Sequence, residues 1–571
     1  MKRFTAGPSM PAISSRETAA ENPAALGDYG VDPACSLHIP AAEMLSGDWI
    51  PIRRTAGGVL IATADELPHR STVSEWFPGE ELVFRKAGRR EIQELIVDMR
   101  LDEVADDMAN EFTRRSPEYA ARTGIRPWQK AAACALALVV AGLLLAQGLA
   151  VVVTVISVLF CLGLLFKVFL AMVSSKRPPE AAENREISDD ELPTYTILVP
   201  AYQEEAVIGE TVRWLADMDY PKDKLEILVL VERRDEATAR AVREVSPPDF
   251  IRIVPLAPGL PQTKPRSCNL GLMLARGELL VIFDAEDRPE RDQLRKVAQQ
   301  FAAGGDRLAC VQAKLNYYNE RRNPLTRLFS LEYAFWFDLM LPGLARLKLP
   351  IPLGGTSNHI RTDVLRRVGG WDAWNVTEDA DLGLRLASAG HRVDIADSTT
   401  WEECPSVPWA WIMQRTRWLK GYLLTGLVYT RRPVNAFRQF GLAGMVSLLG
   451  IVFGTPVVFM FWPCAFLLAL AGWAGIHADG LSAQTAAVTA TAMWISATIM
   501  AAAMLVAAYR RRMSWWTAAI VPFYWLLHAF AGWRGLLQLI RAPYKWEKTS
   551  HGAPSSGVDG PAGRQGVTRR P

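Results

Sequence analysis

Two long stretches without charged side chains constrain the fold of this chain more than any other feature. The first is Ala131–Phe166, and the second, Leu442–Tyr509, has one histidine and one aspartate as its only acidic or basic side chains. A helix needs roughly 20 mostly apolar residues to cross a bilayer. The sequence therefore predicts an integral membrane protein, with a transmembrane hairpin at 128–173 and C-terminal transmembrane and interfacial helices at 440–541. Within the latter, Ser514–Ile540 is expected to form a re-entrant hairpin or a surface-lying helix.

Basic residues flank the first apolar stretch on both sides. Arg126 and Lys130 precede it, Lys167 and Lys176 follow it, and the turn expected at Gln147 carries no charge. Because basic residues concentrate on the cytoplasmic side of membrane helices, both flanks and the polar middle of the chain are expected in the cytoplasm. A formal net charge of +3 gives no reason to expect nucleic-acid binding.

The remaining regions differ in composition. The short apolar runs on either side of Thr55–Gly58 predict a β-hairpin, and a helix is expected near Arg89–Met108. Seven cysteines without a CxxC pair indicate neither a disulfide framework nor a zinc site. The predicted regions are a disordered N-terminus at 1–37, a small regulatory α+β domain at 38–120, an α/β domain at 193–430 and a cytoplasmic tail at 542–571.

Apolar runs alternate with helical segments in the middle of the chain. The runs Thr194–Pro200, Leu225–Val231 and Glu278–Phe283 are typical of buried strands, and this alternation predicts a mostly parallel sheet with helices on both faces. Ligands of such sheets bind beyond the carboxyl ends of the strands. Acidic residues follow all three runs: Glu204, Glu232, and the cluster Asp284, Glu286 and Asp287.

The acidic cluster after the third run is a candidate metal site. Asp284, Glu286 and Asp287 follow a buried strand, and carboxylate oxygens are ligands that Mg²⁺ and Mn²⁺ prefer. Either ion would suit a nucleotide diphosphate. The alternative is a solvated acidic turn, which the position of the cluster after a strand disfavours.

A second acidic pair begins a predicted helix. Thr377 is a suitable N-cap for a helix over Ala380–Ala389 that Gly390 would end. Glu378 and Asp379 then lie in or near the first turn, where the helix dipole favours the ionised carboxylate. Such a group serves as a general base if burial or a neighbouring carboxylate offsets that effect. The alternative is an ordinary capping cluster.

The sequence Gln414-Arg415-Thr416-Arg417-Trp418 lies in a helical segment rich in tryptophan. Arginine binds phosphate with a forked pair of hydrogen bonds, and tryptophan stacks on the apolar faces of sugars. The alternative is an amphipathic helix at the membrane surface, where Arg and Trp are both favoured. The two interpretations are compatible.

Two polar loops complete the candidate site. Lys264 and Asn269 would place an amine and an amide near a phosphate. Thr356 and Ser357 follow paired glycines, which allow close backbone approach, and supply donors for hydroxyl groups. The sequence contains neither a P-loop motif nor GxGxxG, so ATPase and dinucleotide-binding functions have no support.

These residues, in this order, make the chain resemble membrane-bound family 2 glycosyltransferases of the cellulose and hyaluronan synthase type. The resemblance runs from about Pro193 to Gly426, and it adds a family-like end at 543–552. It implies an α/β GT-A (Rossmann-like) domain inserted between transmembrane helices, a UDP-sugar donor and inversion at the anomeric carbon. Two departures are Glu286 in place of the second Asp of Asp-x-Asp, and Arg233-Arg234 where acids are usual.

The resemblance also implies roles for individual residues. It places Asp379 as the general base beside Glu378, and Arg417 at the diphosphate of the donor. Glu204, Glu232, Lys264 and Asn269 would bind the donor; Trp418, Gln414, Thr356 and Ser357 would bind the acceptor; and Asp284, Glu286 and Asp287 would hold Mg²⁺ or Mn²⁺.

The expected function is synthesis of an exopolysaccharide by a multi-pass protein of the bacterial inner membrane, with the catalytic domain in the cytoplasm. The helices beside Gln414–Trp418 would supply the exit path for the product. One alternative is transfer of a single sugar to a lipid acceptor. The other is a non-catalytic membrane scaffold or receptor, for which Arg233-Arg234 is the one indication.

The region before the membrane hairpin resembles the N-terminal domain of type II secretion ATPases. Trp49–Arg53 and Val59–Asp65 carry this match. The order of this domain, two helices and a family 2 transferase is similar to that of the bacteriophage N4 adsorption protein B family. Because related domains bind cyclic di-GMP, the resemblance implies that ligand as a regulator, together with an export partner.

Overall fold

The computed structural model describes residues 26, 30–64, 70–147, 149–175, 187–473 and 483–547. The chain forms two compact units, Met1–Glu103 and Val104–Pro571. The division falls inside a helix, α4 (Leu101–Arg115), and therefore before the end predicted for the small domain at residue 120. Most of the N-terminus predicted as disordered lies outside the described residues, but Pro33–Ser36 forms a 3₁₀ turn.

The N-terminal unit is built on a three-stranded sheet of order β1-β2-β3. The predicted hairpin is confirmed, since Thr55 pairs with Gly58 across an antiparallel turn, and β3 adds to β2 in parallel. The predicted helix near Arg89–Met108 is instead two helices, which part at Arg100 because its ψ of 36° leaves the helical region. The elements of this unit are β1 (Trp49–Thr55), β2 (Gly58–Thr63), β3 (Leu82–Lys86), α1 (Ala41–Gly47), α2 (Arg70–Trp76) and α3 (Arg89–Met99).

The large unit is organised by a mixed eight-stranded sheet of order β6-β5-β4-β7-β10-β9-β11-β8. The strands are β4 (Tyr195–Ala201), β5 (Leu225–Glu232), β6 (Ile251–Leu256), β7 (Leu279–Ile282), β8 (Arg288–Pro289), β9 (Leu308–Tyr317), β10 (Asn358–Arg361) and β11 (Arg392–Glu402). Strands β5, β4 and β7 are parallel as predicted, and β6, which was not predicted, adds to β5 in parallel. Strand β10 runs antiparallel to both of its neighbours. A run of apolar residues does not report strand direction, because both directions bury the same side chains.

Burial explains why the central strands form where they do. Every residue of β7 is buried, and β4 and β5 are buried along almost their whole length. Helices cover both faces of the sheet: α7 (Ile208–Ala216), α8 (Glu236–Glu244), α9 (Lys264–Leu274), α10 (Gln293–Gly304), α11 (Pro324–Tyr333), α12 (Leu341–Arg346), α13 (Thr362–Arg367), α14 (Glu378–Ser388) and α15 (Pro408–Tyr429). A π-helical segment, Ala334–Met340, joins α11 to α12.

Apolar helices precede and follow this α/β core. They are α5 (Pro127–Gln147), α6 (Leu149–Ser175), α16 (Pro433–Ser447), α17 (Gly454–Trp473), α18 (Ala483–Arg510), α19 (Trp515–Ala519) and α20 (Val521–Arg541). Within the described residues, four segments are long and apolar enough to cross a membrane: Pro127–Leu145, Ser157–Ser174, Pro433–Pro463 and Ala490–Arg510. Helix α16 is kinked at Gly441 (φ 64°), beside the predicted start of the C-terminal helices at 440.

The segment Ser514–Ile540, for which a re-entrant hairpin or a surface-lying helix was predicted, forms two consecutive helices. A break at Ile520 separates α19 from α20, and Pro522 lies in the first turn of α20, where its missing N–H leaves no hydrogen bond unmade. Helix α20 packs against α15 and α17. The apolar helices are also tied to the α/β core, because Arg511 forms a bidentate ion pair with Asp338 at 2.6 and 2.7 Å.

Candidate active site

The carboxyl ends of the central strands open onto a cavity of about 360 Å³, which we term the donor cavity. Its walls come from the segments after β4 and β7, the end of β5, the start of α9, the start of α14 and the middle of α15. The predicted site residues that line it are Glu204, Glu232, Lys264, Asp284, Glu286, Thr356, Glu378, Asp379, Gln414, Arg417 and Trp418. The strand ends that the sequence predicted to meet are therefore brought together.

The acidic turn after β7 divides into two environments. Asp284 and Glu286 line the donor cavity, whereas Asp287 is fully buried behind it. One Asp287 oxygen accepts hydrogen bonds from the Asp284 N–H at 2.7 Å and from the Thr356 hydroxyl. The other oxygen is buried and has no hydrogen-bond partner in the described part of the chain.

The charge around this turn is strongly negative. Burial and then the neighbouring Asp284 raise the pKa values of both Glu286 and Asp287 well above their ordinary range. Glu402, at the end of β11, lies in the same cavity, and burial followed by Asp287 raises its pKa in the same way. Opposing this, the Lys264 amine contacts Asp284 and donates to the Gly355 carbonyl at 2.7 Å.

A divalent cation would fit the chemistry of this cluster. No group of three or more His, Cys, Asp and Glu side chains is arranged as a metal site within the described ranges, and Asp284 faces Lys264. The unpaired Asp287 oxygen and the excess of buried carboxylates nevertheless leave negative charge that Lys264 alone does not offset. Oxygen ligands of this kind are those of Mg²⁺ and Mn²⁺.

Glu378 and Asp379 are the first two residues of α14. Thr377 occupies the N-cap position but makes no capping bond, because its hydroxyl contacts Asn375 and Thr425 instead. Asp379 Oδ1 accepts a hydrogen bond from the Ala380 N–H at 2.7 Å. Burial is the largest effect on both carboxyls and raises the pKa of each, against the lowering effect of Lys264 and Arg417. This is the environment that a carboxylate needs to act as a base.

Helix α15 comes close to the start of α14 because position 421 is glycine. A Cβ atom at Gly421 would lie 2.3 Å from the Thr377 methyl group, which is closer than atoms can approach. One turn further along α15, the Thr425 hydroxyl accepts a hydrogen bond from the Asn375 side chain at 3.1 Å. These two contacts set the position of α15 against the segment that carries Glu378 and Asp379.

The two arginines of the Gln414–Trp418 sequence face different partners. Arg417 faces the donor cavity, where it stacks on Trp546 at 4.5 Å and donates to the Glu547 carbonyl at 3.2 Å. Burial lowers the pKa of Arg417, and Glu378 and Asp284 partly restore it. Arg415 instead forms an ion pair with Glu332 at 2.6 Å. A cation at the donor cavity is thus supplied by Arg417.

Trp418 lies between two cavities. A second cavity of about 170 Å³, the membrane cavity, extends from the donor cavity into the apolar helices. Both cavities are lined by Leu315, Tyr333, Gly355, Thr377, Asp379 and Trp418. The further lining of the membrane cavity is mainly apolar and includes Leu164, Phe335, Met340, Phe459, Trp462 and Met500. Asp379 is therefore reachable from the strand ends and from the side of the membrane-type helices.

Three predicted residues do not line either cavity: Asp287, described above, Asn269 and Ser357. The Asn269 amide donates to the carbonyls of Met108 and Trp371 at 2.9 and 3.0 Å, so it ties α9 to neighbouring segments. Ser357 is fully buried and donates to Thr400 at 2.6 Å. Glu232 does line the donor cavity, where it pairs with the buried Arg266 at 3.3 Å.

Several lining residues were not predicted from the sequence. Glu402 and Glu403 stand at the end of β11, where an acidic pair after a strand was the available signal. Trp546 comes from the C-terminal segment, which was noted as family-like without a role for that residue. Tyr333 had no signal, because a tyrosine at the end of a buried helix is ordinarily part of a core.

Comparison with known proteins agrees with this site. A model of "Glycosyltransferase like family 2" matches residues 193–421. The probable glycosyltransferase YdaM of Bacillus subtilis is 29% identical over 44% of this chain and 59% of its own length. A beta-monoglucosyldiacylglycerol synthase of Synechocystis is also 29% identical, over 42% of this chain and 50% of its own.

Among solved structures, the mannosyltransferase PcManGT from Pyrobaculum calidifontis, in complex with GDP-Man and Mn²⁺, has 19% identity and a TM-score of 0.44. That match covers 68% of this chain and 99% of the other. The chain spans about half the length of the curated relatives that it matches. Residues 193–421, with their mixed sheet and acidic strand ends, therefore match the family 2 glycosyltransferase domain, and in this region the chain is similar to proteins named as glycosyltransferases.

Proposed function

We propose that this protein transfers a sugar, with inversion, from a UDP-sugar to a growing polysaccharide at the cytoplasmic face of the bacterial inner membrane. The observation that carries the proposal is that Asp379 and Trp418 line both cavities. A donor held at the strand ends and an acceptor that enters from the membrane side would meet at these two residues.

The donor cavity supplies the charges that a nucleotide diphosphate needs. Asp284 and Glu286, with Glu402 beside them in the donor cavity, would hold Mg²⁺ or Mn²⁺, and the ion would neutralise charge on the diphosphate. Asp287, the third predicted ligand, is buried behind them and would hold the turn through the Asp284 N–H and the Thr356 hydroxyl. Lys264 and Arg417 add positive charge beside these acids. Glu204 and Glu232, at the ends of the neighbouring strands, would contact the nucleoside.

Asp379 is the base in this proposal. It takes the proton of an acceptor hydroxyl, whose oxygen forms a bond to the anomeric carbon while the bond from that carbon to the diphosphate breaks. One displacement of this kind inverts the anomeric centre. Arg417 stabilises the charge that develops on the departing UDP, because a cation fixed in a buried site acts more strongly than one in water. Trp418 and Gln414 would seat the acceptor sugar.

The membrane location rests on the four apolar segments and on their flanking charges. Arg126 precedes the first segment and Lys130 lies in its first turn, while Arg510 ends the last segment and Arg511 and Arg512 follow it. The positive-inside rule then favours a cytoplasmic position for the donor cavity, which is where UDP-sugars are made available to such enzymes.

A second candidate is transfer of a single sugar to a lipid acceptor. The apolar lining of the membrane cavity favours it, because hydrocarbon gains free energy on leaving water for such walls. The Synechocystis relative is named as a synthase of a glucosylated diacylglycerol, which supports the same candidate.

The test is UDP release by membranes that contain the full-length protein, across a panel of UDP-sugars, with product size measured on a gel. We expect one donor to support release and the Asp379→Asn variant to lose it. Asp397→Asn is the matched control, because Asp397 is exposed on β11 and pairs only with Lys314 in the described part of the chain. A polymeric product supports the first candidate and a single glycolipid band the second. Release that is equal in wild type and Asp379→Asn would refute the proposed base.

Regulation by cyclic di-GMP and the presence of an export partner remain predictions from the resemblance of the N-terminal unit. Calorimetric titration of the full-length protein with cyclic di-GMP tests the first of them. We expect a heat of binding that saturates as cyclic di-GMP is added. A titration without heat of binding would contradict regulation by this ligand.

A further inference from the structure

Lys167 is a basic residue inside a helix segment that is apolar enough to cross a membrane. It belongs to the segment Ser157–Ser174 of α6, and it lines the membrane cavity. Its amine donates one hydrogen bond, to the Thr455 hydroxyl at 3.3 Å, and lies 6.0 Å from the centre of the Phe459 ring. No ion pair joins it to a carboxylate in the part of the chain that the structure describes. Basic groups in such segments are costly, and they ordinarily mark a ligand or ion path.

Glu332, one of two acidic residues that line the membrane cavity, already forms hydrogen bonds with other side chains. Glu332 accepts from Arg415 at 2.6 Å, from the Tyr524 hydroxyl at 2.7 Å and contacts His528 at 3.3 Å. Arg415 is therefore the cation paired directly with Glu332, while Lys167 interacts with Glu332 only through space, without an ion pair. Asp379, at the other end of the cavity, is the proposed base. Lys167 is therefore the basic residue of this cavity that forms no ion pair with a carboxylate among the described residues.

The other residues that line the membrane cavity indicate what kind of molecule would carry an anion that pairs with Lys167. The residues that line the same cavity include the apolar side chains Leu164, Val458, Phe459, Met500 and Met504, of which the Phe459 ring lies 6.0 Å from the Lys167 amine. These side chains offer no hydrogen bonds to a sugar or to the hydration shell of a free ion, but they would contact a hydrocarbon chain favourably. A ligand that pairs with the Lys167 amine and also contacts the apolar walls has an oxyanion and a long apolar chain.

We propose that the membrane cavity binds a lipid phosphate, with the phosphate paired to Lys167 and the hydrocarbon chain along the apolar walls. This inference rests on the proposed function in one respect, since it makes the bound lipid the anchor of the acceptor that reaches Asp379. It holds for a single sugar added to the lipid and for a chain that grows on it. Lys167 is thus assigned as the residue that recognises the anchor.

The test is direct binding to the purified full-length protein in an uncharged maltoside detergent. The probes are decaprenyl phosphate and decaprenol, which share one hydrocarbon chain and differ in the phosphate. We expect at least tenfold tighter binding of the phosphate. Lys167→Met should abolish this preference, and Lys167→Arg should retain most of it. Lys348→Met is the matched control, because Lys348 is exposed and lies outside the membrane cavity.

Equal affinity for the two probes, or a preference that survives Lys167→Met, would overturn the proposal. Competition by inorganic phosphate at the same concentration as decaprenyl phosphate would show a phosphate site without lipid selectivity and would also overturn it. Thermal unfolding of Lys167→Met and Lys167→Arg establishes that both variants fold. The assay contains no UDP-sugar, so it measures lipid binding whether or not the protein transfers a sugar. Failure of lipid binding is therefore separable from failure of the transferase activity.

Discussion

The burial of Asp379 determines how the enzyme should respond to pH. A base must be unprotonated to accept the acceptor proton, and burial raises the pKa of this carboxyl above the ordinary value of about 3.9. Activity is therefore retained above the raised pKa and lost as the pH falls through it. We expect the acidic limb of kcat/KM for UDP release to have its midpoint clearly above pH 4.

Asp379→Asn should lower UDP release by about a hundredfold or more, as expected for removal of a general base. The remaining activity of this variant should no longer show that acidic limb. A limb of unchanged position in Asp379→Asn would assign the titration to another group, with Glu378 as the next candidate because burial raises its pKa as well.

Arg415 and Arg417 are two residues apart in the sequence, yet their substitution should have different effects on stability and activity. Arg415→Met leaves the half-buried Glu332 without its closest cation, and loss of one partner of a largely buried ion pair costs about 3 kcal/mol. Arg417→Met breaks no ion pair in the described residues but removes one of the two cations, Lys264 and Arg417, that are placed in the donor cavity. We expect Arg415→Met to lower the melting temperature, and Arg417→Met to lower kcat about a hundredfold at a nearly unchanged melting temperature. The reverse pattern would contradict the assignment of the two side chains.

At the scale of elements, close packing of α15 against the segment before α14 should govern activity. Gly421→Ala would place a methyl group against Thr377, two residues before Asp379, and overpacking of this kind typically costs 1–3 kcal/mol. We expect this variant to fold with reduced stability and to lose UDP release through displacement of Asp379. Gly142→Ala in α5 is the matched control, because its added methyl group meets no atom within 4 Å. Equal activity of the two variants would show that the α14–α15 contact does not position the base.

The elements also differ in how well the sequence predicts them. Strands β4, β5 and β7 are continuous apolar runs, so their burial pattern alone identifies them. Strand β10 has four residues, and its place between β7 and β9 depends on pairing partners distant in the chain. For the same reason Trp546 could not be assigned, since its position in the donor cavity depends on contacts with Arg417 across more than a hundred residues.

For single polar side chains near the site, the sequence likewise does not reveal which group each one will contact. Asn269 and Ser357 have the chemistry of ligand-binding groups, but both are bonded to the protein itself. An amide or hydroxyl binds whichever partner the fold brings within reach, and sequence patterns do not specify that partner. Glu286, Asp379 and Arg417, in contrast, carry charges that are costly to bury without a function, and their positions in the donor cavity could be predicted.

At the scale of the whole molecule, the donor cavity and the basic flanks of the apolar helices should lie on one side of the membrane. UDP-sugars do not cross a bilayer unaided, because their diphosphate is charged, so the proposed transfer from a UDP-sugar requires a donor cavity on the cytoplasmic side. Glu236 is exposed at the start of α8 in the catalytic domain. We expect Glu236→Cys to react with a membrane-impermeant maleimide only after the cells are lysed. A cysteine at Gln147, the end of α5, should react in intact cells whose outer envelope is made permeable. Labelling of Glu236→Cys from outside would invert the topology, and the enzyme would then need a donor other than a cytoplasmic nucleotide sugar.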